Sequence, residues 1–341
     1  MKNFKLHFAS LTRIADLQEK AFDIQSLDRK DWATADFVVC KVMKCGMSPL
    51  ALELPDGRMR RLREGLMVVG ALGIRHATLE ATGSWEKTAE DGIMHMLSPG
   101  GLYGKLTSKS IYASDLPELK YEGHIMRNGR KLSMYDYKKT ADFKPLEIPV
   151  VLFVGTSMSA GKTTSACIAT EIFKRSGYKV VAAKLTGAGC YKDILAASDS
   201  GADAIYDFVD VGLPSSICDR NRFKDEVLQM KNLIAAVDAD VAIIEIGASP
   251  LEPYNGDLAI EAIRQNIKCT ILSASDPYAV LGLMRAFEIK PDVVTGISTN
   301  TIAGAELVEN LCGVKALNLI DPKTTPELVS ILSDSVGMDL I

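Results

Sequence analysis

The fold of this chain is decided by the stretch Gly155-Thr156-Ser157-Met158-Ser159-Ala160-Gly161-Lys162-Thr163-Thr164, which directly follows an apolar run at residues 150–154. The apolar run has the length of a strand, and a helical pattern begins where the stretch ends. A strand, a glycine-bounded turn and a helix amino terminus, in this order, are the context that a phosphate-binding loop requires. The stretch therefore predicts such a loop at the head of an α/β domain.

The same alternation continues to the carboxyl terminus of the sequence. Strand-length apolar runs lie at residues 150–154, 179–184, 241–246, 269–273, 293–297 and 315–319. Helical patterns lie at residues 161–176, 222–237, 256–266, 277–288, 303–312 and 325–335. Continuous apolar strands that alternate with helices indicate a parallel sheet covered on both faces. We predict an α/β class protein whose residues 148–341 form a doubly wound, mainly parallel sheet.

The sequence before residue 148 has a different pattern. Its apolar runs at residues 36–43, 65–71 and 93–97 are short, and turn signals separate them. Asp56-Gly57 and Asn128-Gly129 are typical of tight hairpins, which need residues with positive φ. Residues 9–30 have helical spacing. We predict a small, mainly antiparallel, barrel-like β domain at residues 1–147, preceded within that range by a leading helix.

Composition excludes several classes of function. The 341 residues carry a formal net charge of −4, with 47% hydrophobic and 24% charged residues, which is typical of a globular protein with no general attraction to nucleic acid or to anionic membranes. No apolar stretch is long enough to span a bilayer, and no secretory signal is apparent. The seven cysteines are an odd number and mostly lie in apolar runs. We expect a cytoplasmic protein with buried, reduced thiols, and neither a nucleic acid nor a membrane as partner.

The chemistry of the loop follows from its residue types. Glycines let backbone N–H groups approach phosphates, and the helix amino terminus adds free donors and partial positive charge. Lys162 is placed to bridge β- and γ-phosphate oxygens, and Thr163 to give its hydroxyl to Mg²⁺. The residues predicted to contact the nucleotide are Gly155, Thr156, Ser159, Ala160, Gly161, Lys162, Thr163 and Thr164.

Two charged residues end other strand-length runs. Ligands of a doubly wound sheet bind beyond the carboxyl ends of its strands. Lys184 ends the second run, and Glu245 ends the apolar part of a later one. At that edge Lys184 would neutralise a γ-phosphate, and Glu245 would hold Mg²⁺ or orient water. The competing interpretations are a solvated strand terminus for Lys184 and a turn cap for Glu245.

The loop has five residues between its glycines, where the usual phosphate loop has four. This Gly-Thr-x-x-x-x-Gly-Lys-Thr pattern resembles the loop of dethiobiotin synthetase and related enzymes, over roughly residues 149–335. The resemblance implies a lysine that contacts substrate and phosphate at Lys184, and a magnesium ligand at Glu245. It places the second metal carboxylate among Asp193, Asp199, Asp203 and Asp207, of which we choose Asp203, with Asp199 as the alternative. It also implies that Asn300 reads the nucleotide base.

A second resemblance concerns residues 201–208, Gly-Ala-Asp-Ala-Ile-Tyr-Asp-Phe. This segment is similar to a P-loop family that includes proteins assigned as D-glutamate N-acetyltransferases. The β domain has no counterpart in dethiobiotin synthetase. The reaction therefore stays open between classes.

The leading hypothesis is an ATP- and Mg²⁺-dependent ligase that phosphorylates a small carboxylate or carbamate for amide bond formation, with Lys162 and Lys184 as catalytic residues. Its metal ligands would be Thr163, Asp203 and Glu245, its substrate an amino acid or another carboxylate, and its assembly a homo-oligomer. One alternative is an N-acyltransferase whose loop holds the phosphates of coenzyme A. Another is a nucleotide-switched partner or chaperone NTPase.

Overall fold

The computed structural model describes residues 5–45 and 51–341. The expectation that no secretory signal is present therefore falls partly outside the described residues. The chain divides into two compact units. The β unit comprises Met1–Lys139, Ala188–Lys192 and Phe208–Ile217, and the α/β unit comprises Thr140–Gly187, Asp193–Asp207 and Cys218–Ile341.

The two short segments 188–192 and 208–217 cluster with the amino-terminal part of the chain. The domain prediction placed both in residues 148–341, because strand–helix alternation carries no information about which core a connecting loop joins. Val209, Val211 and Leu213 of the second segment are buried. Their burial shows that this loop contributes apolar side chains to the interior rather than lying exposed.

The described part of the β unit consists of strands and short 3₁₀ turns. The strands are β1 (Leu6–Phe8), β2 (Asp23–Gln25), β3 (Phe37–Lys44), β4 (Ala51–Glu53), β5 (Met59–Arg61), β6 (Met67–Leu72), β7 (Ile74–His76), β8 (Ala81–Ser84), β9 (Ile93–Ser98), β10 (Leu102–Lys109), β11 (Glu118–Arg127) and β12 (Arg130–Lys131). The turns are Ser10–Ile14, Arg29–Asp31, Trp85–Lys87 and Met134–Tyr137.

Five of these strands close into a ring. The order β6-β3-β11-β9-β10 is completed by a pairing of β10 with β6. Closure leaves the ring strands without a free edge, which removes a site of edge-to-edge aggregation. Most pairs are antiparallel, as predicted, but β1–β6 and β6–β10 are parallel. The ring encloses apolar side chains such as Val38, Cys40, Val68, Met96 and Tyr103.

Both predicted hairpin signals are confirmed. Gly57 has φ +83° in the turn between β4 and β5. Asn128 and Gly129 have φ +52° and +74° between β11 and β12. At Asn128-Gly129, positive φ at both central residues is the geometry of a two-residue turn that matches the twist of its strands. In the longer turn between β4 and β5, Gly57 has positive φ and Asp56 does not.

The predicted leading helix at residues 9–30 is wrong. This segment contains the turn Ser10–Ile14, the strand β2 and the turn Arg29–Asp31. The Ala9 amide donates to Val69 of β6 at 2.9 Å, and the Thr12 hydroxyl donates to the Ala9 carbonyl at 2.7 Å. Ser and Thr side chains that bond to nearby backbone compete with the helix ladder. The apolar spacing reflects packing of Leu11 in the core, where it is fully buried.

The α/β unit alternates strands and helices. Its strands are β13 (Val150–Gly155), β14 (Val180–Thr186), β15 (Ala204–Asp207), β16 (Val241–Ile246), β17 (Ile267–Ser273), β18 (Val293–Thr295) and β19 (Lys315–Ala316). Its helices are α1 (Lys162–Arg175), α2 (Tyr191–Asp199, whose first two residues belong to the β unit), α3 (Arg220–Ala236), α4 (Gly256–Ile263), α5 (Pro277–Phe287), α6 (Ile302–Cys312) and α7 (Thr325–Val336).

These strands form one parallel sheet in the order β15-β14-β16-β13-β17-β18-β19. The central strands β13, β14 and β16 are buried along their whole length. The register pairs Phe153 with Glu245, and Glu245 with Lys184. Because all strands run in one direction, the residues that end them meet at one edge. This edge positions the candidate site.

Two elements of this unit were not predicted, namely α2 and β15. The strand β15 has only four residues, and its sequence, Ala-Ile-Tyr-Asp, is too short to show a period. The last two predicted strands are shorter than expected, because residues Ile297–Thr299 form a 3₁₀ turn and β19 ends at Ala316. Among the described residues, none of the helices is both long and apolar enough to cross a membrane.

Candidate active site

The predicted loop connects β13 to α1. Strand β13 ends at Gly155, and α1 begins at Lys162 after Gly161, which has φ +106° and ψ +8°. This left-handed conformation is open to glycine and strained for other residues. The amide of Thr156 donates to the Ser273 carbonyl at 3.1 Å, and the Thr156 hydroxyl accepts from the Ser275 amide at 3.1 Å. The turn is thus tied to the end of β17. It has the order of strand, glycine-bounded turn and helix that a phosphate-binding loop requires.

Lys162 lies beneath this loop. Its side chain is 1% exposed, and its Nζ donates to the Ser157 carbonyl at 2.6 Å. Burial lowers the pKa of Lys162 to about 8, with a further lowering by Lys184 and an opposing effect of the Glu245 carboxylate. A Cβ added to Gly155 would lie 2.9 Å from the Lys162 side chain. The glycine therefore leaves the space that the lysine needs to fold under the loop.

A cluster of four polar side chains lies beside Lys162, at the carboxyl edge of the sheet. The Thr163 hydroxyl donates to Glu245 Oε2 at 2.9 Å, and Lys184 Nζ lies 3.6 Å from Glu245 Oε1. Asp193, in the first turn of α2, accepts from Lys184 Nζ at 2.5 Å. We refer to Thr163, Lys184, Asp193 and Glu245 as the carboxyl-edge cluster. The single ammonium group of Lys184 contacts both carboxylates, which offsets part of the cost of burying these charges.

Gly247 shapes the same edge from the end of β16. Its amide donates to the Thr186 hydroxyl at 3.1 Å. A Cβ at this position would lie 2.1 Å from the Thr186 carbonyl oxygen and 2.6 Å from Lys184 Cε. Glycine at position 247 is therefore required by the close approach of β14.

A small cavity adjoins the carboxyl-edge cluster, which forms its polar side. Its other lining residues come from α1, β14, α2 and β16 and include Ala166, Ala183 and Ile243. The cavity has room for about one water molecule, with a volume of about 10 Å³. A few polar groups converge there on a mostly apolar wall.

The structure brings together the catalytic candidates Lys162 and Lys184 and the metal candidates Thr163 and Glu245. Carboxylate and hydroxyl oxygens are ligands that suit Mg²⁺, which binds few protein groups and keeps waters or phosphate oxygens. Among the described residues, no group of three or more His, Cys, Asp or Glu side chains is placed to hold a metal ion. Thr163 and Glu245 fit a magnesium ion that is shared with phosphates, as in other nucleotide sites.

Asp203 is not brought to this site, which corrects its choice as a metal ligand. Its carboxylate accepts from Lys174 Nζ at 2.7 Å and from the Val180 amide at 2.7 Å, at the beginning of β14. Lys184 lies four residues further along that strand, or about 13 Å at the rise of a β-strand. Asp203 therefore joins the amino end of β14 to α1. The acid that reaches the cluster is Asp193.

The sequence analysis chose Asp203 rather than Asp193 among the four acidic residues. Helix α2 was not predicted, and without it the position of Asp193 relative to Lys184 could not be derived. Asp207 pairs with Lys184 in the register of β14 and β15 and is buried. Asp199 is exposed at the last residue of α2. The signal that could have identified Asp193 is its position in the sequence. It lies nine residues after Lys184 and in the first turn of the next helix.

The remaining nucleotide-contact candidates differ in their surroundings. Ala160 is buried, whereas Ser159 and Thr164 are exposed. Asn300 is exposed and ends the turn Ile297–Thr299. Gly296, which precedes this turn, approaches the loop so closely that an added Cβ would lie 2.3 Å from the Ala160 carbonyl oxygen. The segment that carries Asn300 therefore contacts the loop, and a base-reading role of Asn300 stays a prediction.

No protein-family model matches this chain, and no curated protein matches it significantly. Solved structures with partial similarity include the chloroplast FtsY of Physcomitrella patens, with 17% identity and a TM-score of 0.37 over 54% of this chain and 63% of that chain. The signal recognition particle receptor FtsY of Elizabethkingia anophelis has 16% identity and a TM-score of 0.35 over 52% and 58%. The same receptor in complex with GDP has 18% identity and a TM-score of 0.32, over 52% and 58%.

This chain spans less than two thirds of the length of each of these solved chains. Similarity of this extent does not assign the chain to a family. The comparisons do not confirm the resemblance to dethiobiotin synthetase, which stays a prediction.

Proposed function

We propose that this chain binds a nucleoside triphosphate with Mg²⁺ and transfers its γ-phosphoryl group to a small carboxylate or carbamate, as the first step of amide bond formation. The observation that carries the proposal is the convergence of Lys162, Thr163, Lys184 and Glu245 at the end of a glycine-bounded loop. The loop amides and the amino terminus of α1 would receive the phosphates.

Lys162 would move from the Ser157 carbonyl to the β- and γ-phosphate oxygens. It is already buried with its ammonium group beneath the loop, so little side-chain entropy remains to be lost on binding. Thr163 and Glu245 would hold Mg²⁺, which would neutralise charge that develops on the transferred group. In this role the hydroxyl–carboxylate hydrogen bond at 2.9 Å preorganises both ligands.

Lys184 supports transfer to an anionic acceptor rather than to water alone. A second ammonium at the carboxyl edge reduces the repulsion between an acceptor carboxylate and the γ-phosphate. The carboxylate oxygen would attack phosphorus while the bond to the leaving nucleoside diphosphate breaks. An amine would then attack the carbonyl carbon of the acyl phosphate, and inorganic phosphate would leave.

An isotope experiment tests this chemistry directly. The protein is incubated with Mg-ATP or Mg-GTP and a panel of ¹⁸O-carboxylates, including amino acids, with ammonia or hydroxylamine as nucleophile. Transfer through an acyl phosphate moves one ¹⁸O into the released phosphate, and hydroxylamine yields a hydroxamate. Both signals should require Mg²⁺ and be lost in the Lys162→Ala variant.

Other outcomes point to other functions. Unlabelled phosphate, released at the same rate with or without a carboxylate, would exclude the ligase and indicate an NTPase. Consumption of acetyl-coenzyme A without nucleotide hydrolysis would indicate an acyltransferase. Nucleotide binding without any turnover would contradict the proposed reaction and leave a nucleotide-dependent binding protein.

A further inference from the structure

Asp193 is the acidic residue in closest contact with Lys184. Its Oδ2 lies 2.5 Å from Lys184 Nζ, whereas Glu245 Oε1 lies at 3.6 Å. The side chain of Lys184 is 9% exposed and that of Asp193 is 27% exposed. The ion pair is therefore shielded on the lysine side, where water contributes little to holding the ammonium group.

The two carboxylates that contact Lys184 differ in their other bonding partners. Glu245 also accepts the hydroxyl of Thr163, with which it would hold Mg²⁺. Once a divalent cation binds there, the negative charge of Glu245 is compensated by the metal, and the metal repels Lys184. Asp193 is then the remaining carboxylate of the carboxyl-edge cluster that contacts the ammonium group.

We propose that Asp193 is a positioning residue, which holds Lys184 at the end of β14 against the repulsion of the bound metal. The inference depends on the proposed function, because it requires Mg²⁺ and a transferred phosphoryl group at this edge. Asp193 itself contacts neither phosphate nor metal in this scheme. Its carboxylate fixes the direction of a flexible four-carbon side chain, so that the ammonium group is in place when charge develops.

The position of Asp193 also has a purely structural explanation. The test must distinguish this explanation from the proposed positioning role. An acidic residue in the first turn of a helix stabilises the helix dipole. Under that explanation alone, neutralising Asp193 would lower stability and leave turnover of the folded protein unchanged. Under the proposal it would lower kcat.

The charge of the site predicts that loss of the Asp193 carboxylate affects nucleotide binding and turnover differently. Loss of the Asp193 carboxylate makes the site more positive, so the KM for Mg-nucleotide should stay the same or fall. The kcat should fall about tenfold or more, since a misplaced charged group affects the transition state more than the ground state. Asp193→Glu keeps the charge and should restore part of kcat.

The experiment measures kcat, KM and the thermal midpoint for Asp193→Asn, Asp193→Glu, Lys184→Met and the double variant Asp193→Asn/Lys184→Met. Asp199→Asn is the matched control, since Asp199 is an exposed acid of the same helix. If Asp193 acts through Lys184, its replacement should have no further effect on kcat in the Lys184→Met background. Equal additional loss in that background would overturn the proposal, as would an unchanged kcat in Asp193→Asn.

The two hypotheses fail in different ways. If the wild-type protein shows no Mg²⁺-dependent turnover of any nucleotide, the proposed function is wrong and the inference falls with it. If the wild type turns over and Asp193→Asn is folded and fully active, only the inference is wrong. If Asp193→Asn does not fold, the comparison of Asp193→Glu with wild type decides, because a carboxylate displaced by one methylene must still change kcat.

Discussion

Thr163 and Glu245 are joined by a hydrogen bond of 2.9 Å between α1 and β16, although 82 residues separate them in the sequence. The parallel register of β13 and β16 produces this contact, because it sets Glu245 beside Phe153, two residues before the loop. In the proposed function, this hydroxyl and this carboxylate would hold a magnesium ion.

The first prediction concerns metal binding. Glu245→Gln should weaken Mg²⁺-dependent nucleotide binding about tenfold or more, because a neutral amide is a poor ligand for a hard cation. Asp203→Asn should leave this binding unchanged, since Asp203 bonds to Lys174 and Val180 instead. Calorimetric titration of Mg-nucleotide into each variant compares them. Loss of Mg²⁺ dependence in Asp203→Asn would contradict the assignment.

The second prediction concerns pH and phosphate affinity. The pKa of Lys162 in the free protein is lowered to about 8, mainly by burial. Below that pH the lysine is already charged, and affinity for metal-free nucleotide should be constant. Above it a proton must be taken up with the ligand, so affinity should fall by up to about tenfold per pH unit. Titrations between pH 6.5 and 9.5 test this, and Lys162→Arg, which stays charged, should show a flat profile.

The third prediction concerns the stability cost of the same lysine. Burial lowers the pKa of Lys162 in the folded protein to about 8, from its ordinary value of 10.5. Burial of the charged lysine therefore lowers the free energy of unfolding by its full amount below about pH 8. This destabilisation disappears as the pH rises towards 10.5. Lys162→Met should stabilise the protein by about 1–3 kcal/mol at pH 7 and by less at pH 10. Thermal unfolding at both pH values measures the difference. A lower midpoint at pH 7 would show that the bond to Ser157 outweighs the burial of charge.

The fourth prediction uses two glycines of different surroundings. Gly247→Ala should reduce turnover strongly and destabilise the protein by a few kcal/mol, because its Cβ would overlap the Thr186 carbonyl and Lys184. Gly282→Ala, within α5, meets nothing within 4 Å. It should stabilise the helix by about 0.5–1 kcal/mol without changing activity. Denaturant unfolding and turnover assays on the pair check both expectations. Normal turnover by Gly247→Ala would refute the close packing of β14 against β16.

The fifth prediction concerns a buried carboxylate in the β unit. Glu53 is fully buried and accepts from the amides of Tyr191 and Lys192, both at 2.7 Å, and from the Ser10 hydroxyl. Glu53→Ala should cost about 2–4 kcal/mol, because several buried donors lose their acceptor. The exposed Glu64 provides the control, and Glu64→Ala should change stability by less than about 0.5 kcal/mol. Similar unfolding midpoints for the two variants would contradict the role of Glu53.

The phosphate-binding loop was the most predictable part of the molecule, because its signal is local. Gly155, Gly161 and Lys162 lie within eight consecutive residues, and the strand and helix on either side follow from apolar periodicity. Lys184 and Glu245 were predictable for a related reason. Each ends a strand-length apolar run, and parallel strands bring their ends to one edge.

The bonding partners of Asp203 and Asp193 could not be predicted from the sequence. Both are acids of the same segment, and nothing in local sequence states that one bonds at the beginning of β14 and the other at its end. That distinction depends on α2 and on the register of β15. The predicted helix at residues 9–30 fails for a similar reason, since its apolar spacing also suits a turn packed on β6.

The sequence by itself determined that a glycine-bounded loop joins a strand to a helix in a parallel α/β sheet, because backbone conformation and apolar periodicity act over a few residues. The tertiary structure decided which charges accompany that loop. In the folded protein Glu245 accepts a hydrogen bond from Thr163, and Asp193 forms an ion pair with Lys184. Asp203 bonds instead at the beginning of β14, far from Lys184. Such choices depend on contacts between residues distant in sequence, and these form only when strands pair in one register and helices pack on them.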